Sequence, residues 1–472
     1  MKRLFLNACI ICMIGLVANA QVAISIDGSA AGKNSMLDIK SVNKGVVFPR
    51  LTSIQRKAIK VTEADAGLML FDTDKQALYM FNGNEWMPFA FATSEVGLLN
   101  KRVPPNAQSG NFGYACAVSG NYAVVGAYND SVGTTLYQGS AYVFKKTNGN
   151  WILQTRLIAN DGLSSDLFGI AVGIYEDHIA IGASNARNGN SISAGAVYIF
   201  KRTEESWNLE AKVFASDGAV NYKFGISLGL HGNFLLIGSP AAKVGTNVEQ
   251  GAAYVFYRSG ATWYEQKKLI ANDGSANARF GNSVALNYTD FIVGGTGVAY
   301  VFTKALNIYY QEGKLIPTGS VYASFGCSVS ISGNKAVVGA YTQPDGSNNS
   351  GVIHLFNRTG TTWTYGSNIN AFTSKSDLRF GLTVLIKGDY IFAAASQEDI
   401  GDFDLQGSVY LYKWNGSYFE YFKRITDPNG TIADRFGNGI GFDGNSFVIG
   451  AAYGSRNAGS VLRGSVFFGS VE

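Results

Sequence analysis

Glu398, Asp399, Asp402 and Asp404 fall within QEDIGDFD, residues 397–404, the one acidic cluster in this sequence that resembles a cation site. Calcium takes about six to eight oxygens from closely spaced carboxylates and carbonyls. A run of acids in a polar turn reads more simply as a solvated loop, and that reading is adopted, with no metal and no cofactor. Other groups capable of acid–base or nucleophilic work are scattered. The three histidines, His178, His231 and His354, share no spacing. No Ser-His-Asp arrangement, HExxH, P-loop, Cys-rich metal motif or SxDxGxxxW signature occurs. No catalytic residue is assigned and the chain is read as a non-enzyme. One alternative stays open, in which carboxylates from distant parts of the chain meet and hydrolyse a glycoside.

The elements that would position any such group are set by a repeat. Phe-Gly occurs at Phe112, Phe168, Phe224, Phe280, Phe325, Phe380 and Phe436, in steps of 56, 56, 56, 45, 55 and 56 residues. About twelve residues after each Phe comes a run such as VVGA (124–127) or AIGA (180–183). A run such as GSAYVF (139–144) or GAVYIF (195–200) follows, and then a Trp-led run such as WILQTRLIA (151–159). Four short β-branched or aromatic runs per unit, separated by Gly, Asn, Asp and Ser turns, are the signature of strands and hairpins. Seven units of four strands predict an all-β, seven-bladed β-propeller. Both faces of most strands are apolar or small, as packing between neighbouring blades requires. The seventh copy reaches Glu472 after three strands, and EVGLLNKRV (95–103) is expected to supply its fourth and close the ring.

The N-terminus reads as an export signal over residues 1–20: Lys2 and Arg3, an apolar run through Val17, then Ala18-Asn19-Ala20. A secreted or cell-surface location is therefore expected. Without Lys2 and Arg3 the chain keeps 36 basic residues against 34 acids, which does not point to nucleic acid. No later stretch is apolar enough for a membrane span. Cys116 and Cys327 lie in non-adjacent repeats, and two free, buried thiols are expected.

The Phe-Gly, Val-Gly-Ala and Gly-x-x-Tyr-Val-Phe elements resemble the FG-GAP repeat of integrin α chains, most closely its bacterial secreted variant. The resemblance covers about residues 95–470 and implies recognition and adhesion. Integrin-type repeats often carry a DxDxDG calcium loop between the first two strands. The turns at that place here, such as SGN (119–121) and KGD (387–389), do not supply three acids, so calcium binding is not carried over. Residues 21–93 form a separate, mainly β module. It resembles one found ahead of variable domains in bacterial surface and phage tail-fibre proteins, which implies presentation, attachment or oligomerisation. Within it SIQRKAI is expected to be a short helix and LYMFNGNEW a hairpin with an Asn-Gly turn.

With the Phe-Gly strand innermost, the 1–2 and 3–4 turns of the propeller domain, residues 94–472, share one face. The 2–3 loops and 4–1 connections share the other. The 2–3 loops are long and dissimilar in sequence except in blade four, where the loop is nearly absent and a notch is expected. Variable loops on a rigid frame are where binding usually resides. The candidate ligand-binding residues there are Tyr128, Asp130, Tyr137, Arg187, Lys243, Tyr341, Asp345, Asp402, Phe403, Arg456 and Arg463. Exposed aromatics and Arg are typical anchors, and the expected partner is a surface protein or glycan. A structural surface or fibre component is the remaining alternative. Lys146, Arg202, Arg258 and Arg358 each precede a Trp by five residues, a spacing that predicts cation–π stacking across the 3–4 hairpin.

Overall fold

The computed structural model describes residues 22–25, 37–41, 45–74, 77–81, 83, 86–88, 100–103, 110–306, 308–345, 348–371, 376–401, 403–454 and 464–471. The expected signal peptide lies outside the described residues. The chain divides into two compact units, Met1–Phe91 and Ala92–Glu472.

In the first unit, Arg50–Leu51, Met69–Asp72, Ala77–Phe81 and Trp86–Pro88 form a four-stranded sheet, and Val22–Ser25 pairs in parallel with Leu37–Lys40. The expected helix spans Ser53–Ala58, opened by a reciprocal cap between Thr52 and Gln55. Its anchor is Arg56, whose Nε lies 2.8 Å from Asp72 Oδ2 with both side chains fully buried. The guanidinium also lies 4.0 Å from the centre of the Tyr79 ring. The Ser53 hydroxyl donates to the same carboxylate, so the buried charge is hydrogen-bonded as well as paired. The expected hairpin forms, with Phe81 opposite Trp86. Gly83 takes φ +97, while Asn82 of the expected Asn-Gly turn lies outside the described residues.

The second unit is the propeller. Each of the first six blades is an antiparallel sheet in chain order, as in blade two: Phe168–Tyr175, His178–Ala183, Ala196–Thr203 and Ser206–Val213. The first strands of successive blades touch all the way round, blade seven meeting blade one, so they line the axis of a closed ring. The first three strands of blade two are buried on both faces because another blade covers each. The outermost strand is largely exposed or half-buried, with Trp207 and Val213 buried near its two ends. Blade seven consists of Phe436–Phe442, Ser446–Ala451, Ser465–Ser470 and, as expected, an N-terminal strand, Asn100–Arg102. Lys101 stands opposite Phe467 in that last pair.

The Phe-Gly dipeptide locks one blade to the next. Phe168 is fully buried against Tyr198 and Phe200 of its own blade, at ring distances of 5.3 and 6.3 Å. Its backbone bridges in parallel to Gly139 of the preceding blade, as Phe224 does to Gly195 and Phe280 to Gly251. A Cβ on Gly139 would collide with the Phe168 carbonyl, and one on Gly126 with that of Gly169. The small residues of both motifs are therefore a condition of inter-blade contact.

Backbone hydrogen bonds assign the two faces as expected. Lys146 N–H donates to Asn121 at 2.8 Å, joining a 3–4 turn to a 1–2 turn, whereas Ser165 N–H donates to Leu136 at 3.1 Å, joining a 4–1 connection to a 2–3 loop. The basic residue and Trp of the 3–4 hairpin stand opposite each other in blades one, two, three and five. Stacking occurs at 5.8, 5.9 and 5.2 Å in blades one, two and five. In blade three the expected stacking is not seen, and Arg258 donates instead to Asn233 at 2.8 Å. Cys116 and Cys327 are free, the first buried and the second, contrary to expectation, only half-buried.

Candidate recognition face

Five of the 2–3 loops, so unlike in sequence, open alike among the described residues. Each begins with a tight hairpin, closed by Val132 and Thr135 in blade one, Asn188 and Ser191 in blade two, Val244 and Asn247 in blade three, Asp345 and Asn348 in blade five, and Ile400 and Phe403 in blade six. Gly133, Gly189, Gly245 and Gly401 take positive φ at the same place, and Tyr137, Ser193, Glu249 and Leu405 do so four residues later.

Beneath the loops lies a repeated group of phenol, carboxylate and cation. Tyr142, Tyr198, Tyr254, Tyr300 and Tyr410 of the third strands stand opposite Arg156, Lys212, Lys268, Lys314 and Arg424 of the fourth. In blades two, three and four the carboxylate comes from the 4–1 connection. Asp161 accepts from Tyr198 at 2.9 Å and Lys212 at 2.7 Å, while Asp217 and Asp273 repeat the arrangement. In blades one and six it comes from the third residue after the second strand. Asp130 accepts from Tyr142 and Arg156, both at 2.7 Å, and Glu398 from Ser408, from Tyr410 at 2.9 Å and from Arg424 at 3.0 Å. In blades two and three, where the connection supplies the acid, that position is a buried alanine, Ala186 or Ala242. Blade five is uncharged at this place: His354 Nε2 lies 2.8 Å from Gln343 Oε1.

Electrostatics follow from this arrangement. Hydrogen bonds from Lys314 and Tyr300 hold Asp273 below the usual carboxylate range. At Asp161 burial opposes the shift, but the bonds from Lys212 and Tyr198 outweigh it. Burial pushes the phenols of Tyr142, Tyr198, Tyr254 and Tyr300 up, so they stay protonated as donors. Burial depresses His354 to about 4.

Two expectations are corrected here. Asp130, named as an exposed anchor, is 2% exposed and committed to Ser140, Tyr142 and Arg156. The acidic loop is not wholly solvated, because Glu398 is 3% exposed and belongs to the blade, and Asp399 accepts from the Leu405 N–H. Asp402, Arg456 and Arg463 lie outside the described residues. Asp345 accepts from Asn370 at 2.6 Å and, like Phe403, helps close its loop hairpin. Tyr341 is half-buried beneath Arg379, 5.6 Å from the ring centre. Tyr137, Arg187 and Lys243 are exposed on separate loops.

Tyr128 is the one candidate drawn into an aromatic cluster. Its ring meets Tyr114 edge-on at 4.7 Å, its phenol is raised by burial and in part by the neighbouring Tyr453 phenol, and Arg435 lies 4.7 Å over the Tyr453 ring. Burial raises the Tyr114 and Tyr128 phenols. Tyr114, Tyr453, Arg379 and Arg435 were missed, although a signal was available: the residue before Phe-Gly is basic in Lys223, Arg279, Arg379 and Arg435. All four have positive φ. The expected notch is present in blade four as a cavity of about 430 Å³ whose lining includes Asp273, Asn277, Thr296, Lys314, Ile316 and Val321. Among the described residues no three His, Cys, Asp or Glu side chains are grouped to hold a metal ion, and no helix is long and apolar enough to cross a membrane.

Residues 105–144, 151–200, 207–256, 263–302 and 309–356 match the family described as FG-GAP repeat, and residues 25–101 match the phage tail like trimerisation region. No curated protein matches the chain. A chain of a solved structure described as "Crystal Structure of Mitotic Checkpoint Complex" is similar at 11% identity and a TM-score of 0.49, over 81% of this chain and 98% of that one.

Proposed function

We propose that this β-propeller of FG-GAP repeats, carried behind a phage tail like trimerisation region, is an exported, non-enzymatic binding protein. It recognises a surface protein or glycan with the face that bears the 2–3 loops and 4–1 connections. The observation that carries this reading is the contrast within the loops. One hairpin closure recurs in five blades, and in four of them one backbone follows it while the residue it presents differs, from Tyr137 to Ser193 to Glu249 to Leu405. A constant frame with changing side chains is how a rigid scaffold carries recognition. Acids that could have argued for hydrolysis, Asp130 and Glu398, are engaged in the frame itself.

The first unit fits a role in assembly. Leu37, Val46, Val47, Ile54 and Leu68 are exposed apolar residues, with Val47 at 76% and Ile54 at 80%. Burial against further copies would remove them from water, and three linked propellers would bind a surface with avidity.

The test is a glycan and surface-protein binding screen of the chain from Gln21 on, with its oligomeric state measured by light scattering. The control replaces residues 399–404 with a Gly-Ser turn and changes Tyr137, Arg187 and Lys243 to Ala, leaving Glu398 and Gln406 in place. Binding lost in the control supports the reading. Binding that the control retains moves recognition elsewhere on the chain, and turnover of a glycan would replace the reading with the enzyme alternative.

A further inference from the structure

In five blades the 2–3 loop folds over the connection into the next blade. The carbonyls of Ile192, Ser193 and Ala194 accept from the N–H groups of Asn221, Lys223 and Phe224, and those of Val248, Glu249 and Gln250 accept from Asn277, Arg279 and Phe280. Blade one uses Leu136 and Gln138, blade five Asn349 and Ser350, and blade six Asp404, Leu405 and Gln406 in the same way. The side chains of Gln138, Gln250 and Gln406 cover Gly162, Gly274 and Gly430 of the connections. Each loop is in effect a short extended peptide laid against its neighbour's backbone.

Blade four lacks this segment, because its second strand ends at Gly295 and its third begins at Val298. The connection into blade five keeps one backbone bond from blade four, Gly297 N–H to the Ala323 carbonyl at 3.2 Å, and lacks the loop cover of the others. Gly319 stands six residues before Phe325, as Gly162 does before Phe168, yet nothing lies within 4 Å of where its Cβ would be. Val321 is 46% exposed. Phe325 N–H turns to its own Tyr322 carbonyl, and among the described residues no backbone carbonyl accepts from Tyr322 or Ser324 N–H. Nor do Tyr322 and Ser324 hold the positive φ seen at Asn221 and Lys223, or at Asn277 and Arg279, where a loop is bound. The notch of about 430 Å³ occupies the vacated place.

We infer that this notch accepts an extended, uncharged peptide segment of a partner protein by backbone pairing. The inference rests on the reading of this face as the recognition face and narrows the partner there to a polypeptide. Three of the five loops show one kind of segment that fits: an aliphatic residue, any residue, then Gln or Ala, as in Leu136-Tyr137-Gln138, Ile192-Ser193-Ala194 and Val248-Glu249-Gln250. Backbone carbonyls supply affinity in such strand addition and side chains at alternate positions supply selectivity. The Asp273–Lys314 pair in the notch is already neutralised internally, so a charged segment gains nothing there, while Ile316 and Val321 offer apolar surface.

The probe is the capped hexapeptide TTLYQG, residues 134–139 of blade one, added to the chain from Gln21 on. Hydrogen exchange is read over residues 319–325. Protection there is expected to rise about tenfold at saturation, and a scrambled peptide is expected to have no effect. A graft that replaces Thr296 with residues 240–250 of blade three restores the missing loop and is expected to abolish the response. Val321→Asp, an exposed position, serves as a second variant independent of how the graft folds, and is expected to weaken binding about tenfold. No protection in the parent chain, or equal protection in the graft or in Val321→Asp, overturns the inference. Surface-protein or glycan binding that survives in the graft while the peptide fails to bind the parent overturns the notch alone and leaves the wider reading of the face standing.

Discussion

Lys101 Nζ lies 2.8 Å from Asp427 Oδ2 although 326 residues separate them. Asp427 occupies the place in its connection that Ala159 holds before blade two, its carbonyl accepting from Gln406 as that of Ala159 does from Gln138, and Lys101 stands opposite Phe467, where five other blades set a cation against Tyr. The ring-closing strand therefore has its cation where those blades have theirs, paired with a carboxylate two residues earlier in the connection and with no phenol. Lys101→Met leaves Asp427 buried without its cation and is expected to cost about 2 kcal/mol of stability. Asp427→Asn in the same chain should recover part of that loss. Urea unfolding of the four members of the cycle measures the coupling, and strictly additive effects would show that the pair contributes nothing to closure.

Gly126→Ala forces a Cβ into the Gly169 carbonyl of the next blade. It is expected to lower stability by about 3 kcal/mol or more. Gly133→Ala, at φ +60 but with nothing within 4 Å, is expected to cost only about 1 kcal/mol. Equal thermal shifts for the two would mean that backbone conformation, not blade contact, explains the repeated glycines.

Asp161, Asp217 and Asp273 all have carboxyls held below the ordinary value of 3.8. A carboxyl whose folded value is depressed contributes stability that is fully present above the unfolded value and lost as pH falls through the folded one. These groups should therefore leave stability flat above about pH 5 and withdraw it below about pH 4. Lys314→Met should raise the Asp273 titration alone, as followed by carboxyl carbon NMR, and an unchanged midpoint would remove Lys314 as a cause.

His354 has the opposite charge and a wider window. Burial lowers it from 6.5 to about 4, so the unfolded chain takes up a proton that the folded chain refuses. Stability is then complete above pH 6.5 and declines as pH falls to about 4, by about 3 kcal/mol at most. His354→Tyr, which restores the residue used by five other blades, is expected to flatten that slope. A slope unchanged in the variant would assign it to another group.

Cys116 is buried, and burial pushes the Cys327 thiol up to about 12. Both thiols should react with a disulfide reagent only after denaturation. Fast labelling of the native chain at either position would contradict the packing of the first strands.

The sequence by itself determined the number of blades, the strands in each, the ring-closing segment and the notch. These are consequences of periodicity, and a period is visible wherever the same local contacts recur. The 56-residue spacing of Phe168, Phe224 and Phe280 repeats because each Phe must reach the glycine of the blade before it. What only the tertiary structure decided is which side chains the frame consumes. Asp130 and Asp345 looked alike as loop acids, yet Asp130 lies beneath a phenol and a guanidinium supplied by strands ten or more residues away. Burial of a carboxylate depends on what the fold brings above and beside it, and residues distant in sequence supply that cover. The same holds for Tyr128, whose partners Tyr114 and Tyr453 come from the first and last blades and meet because the ring closes.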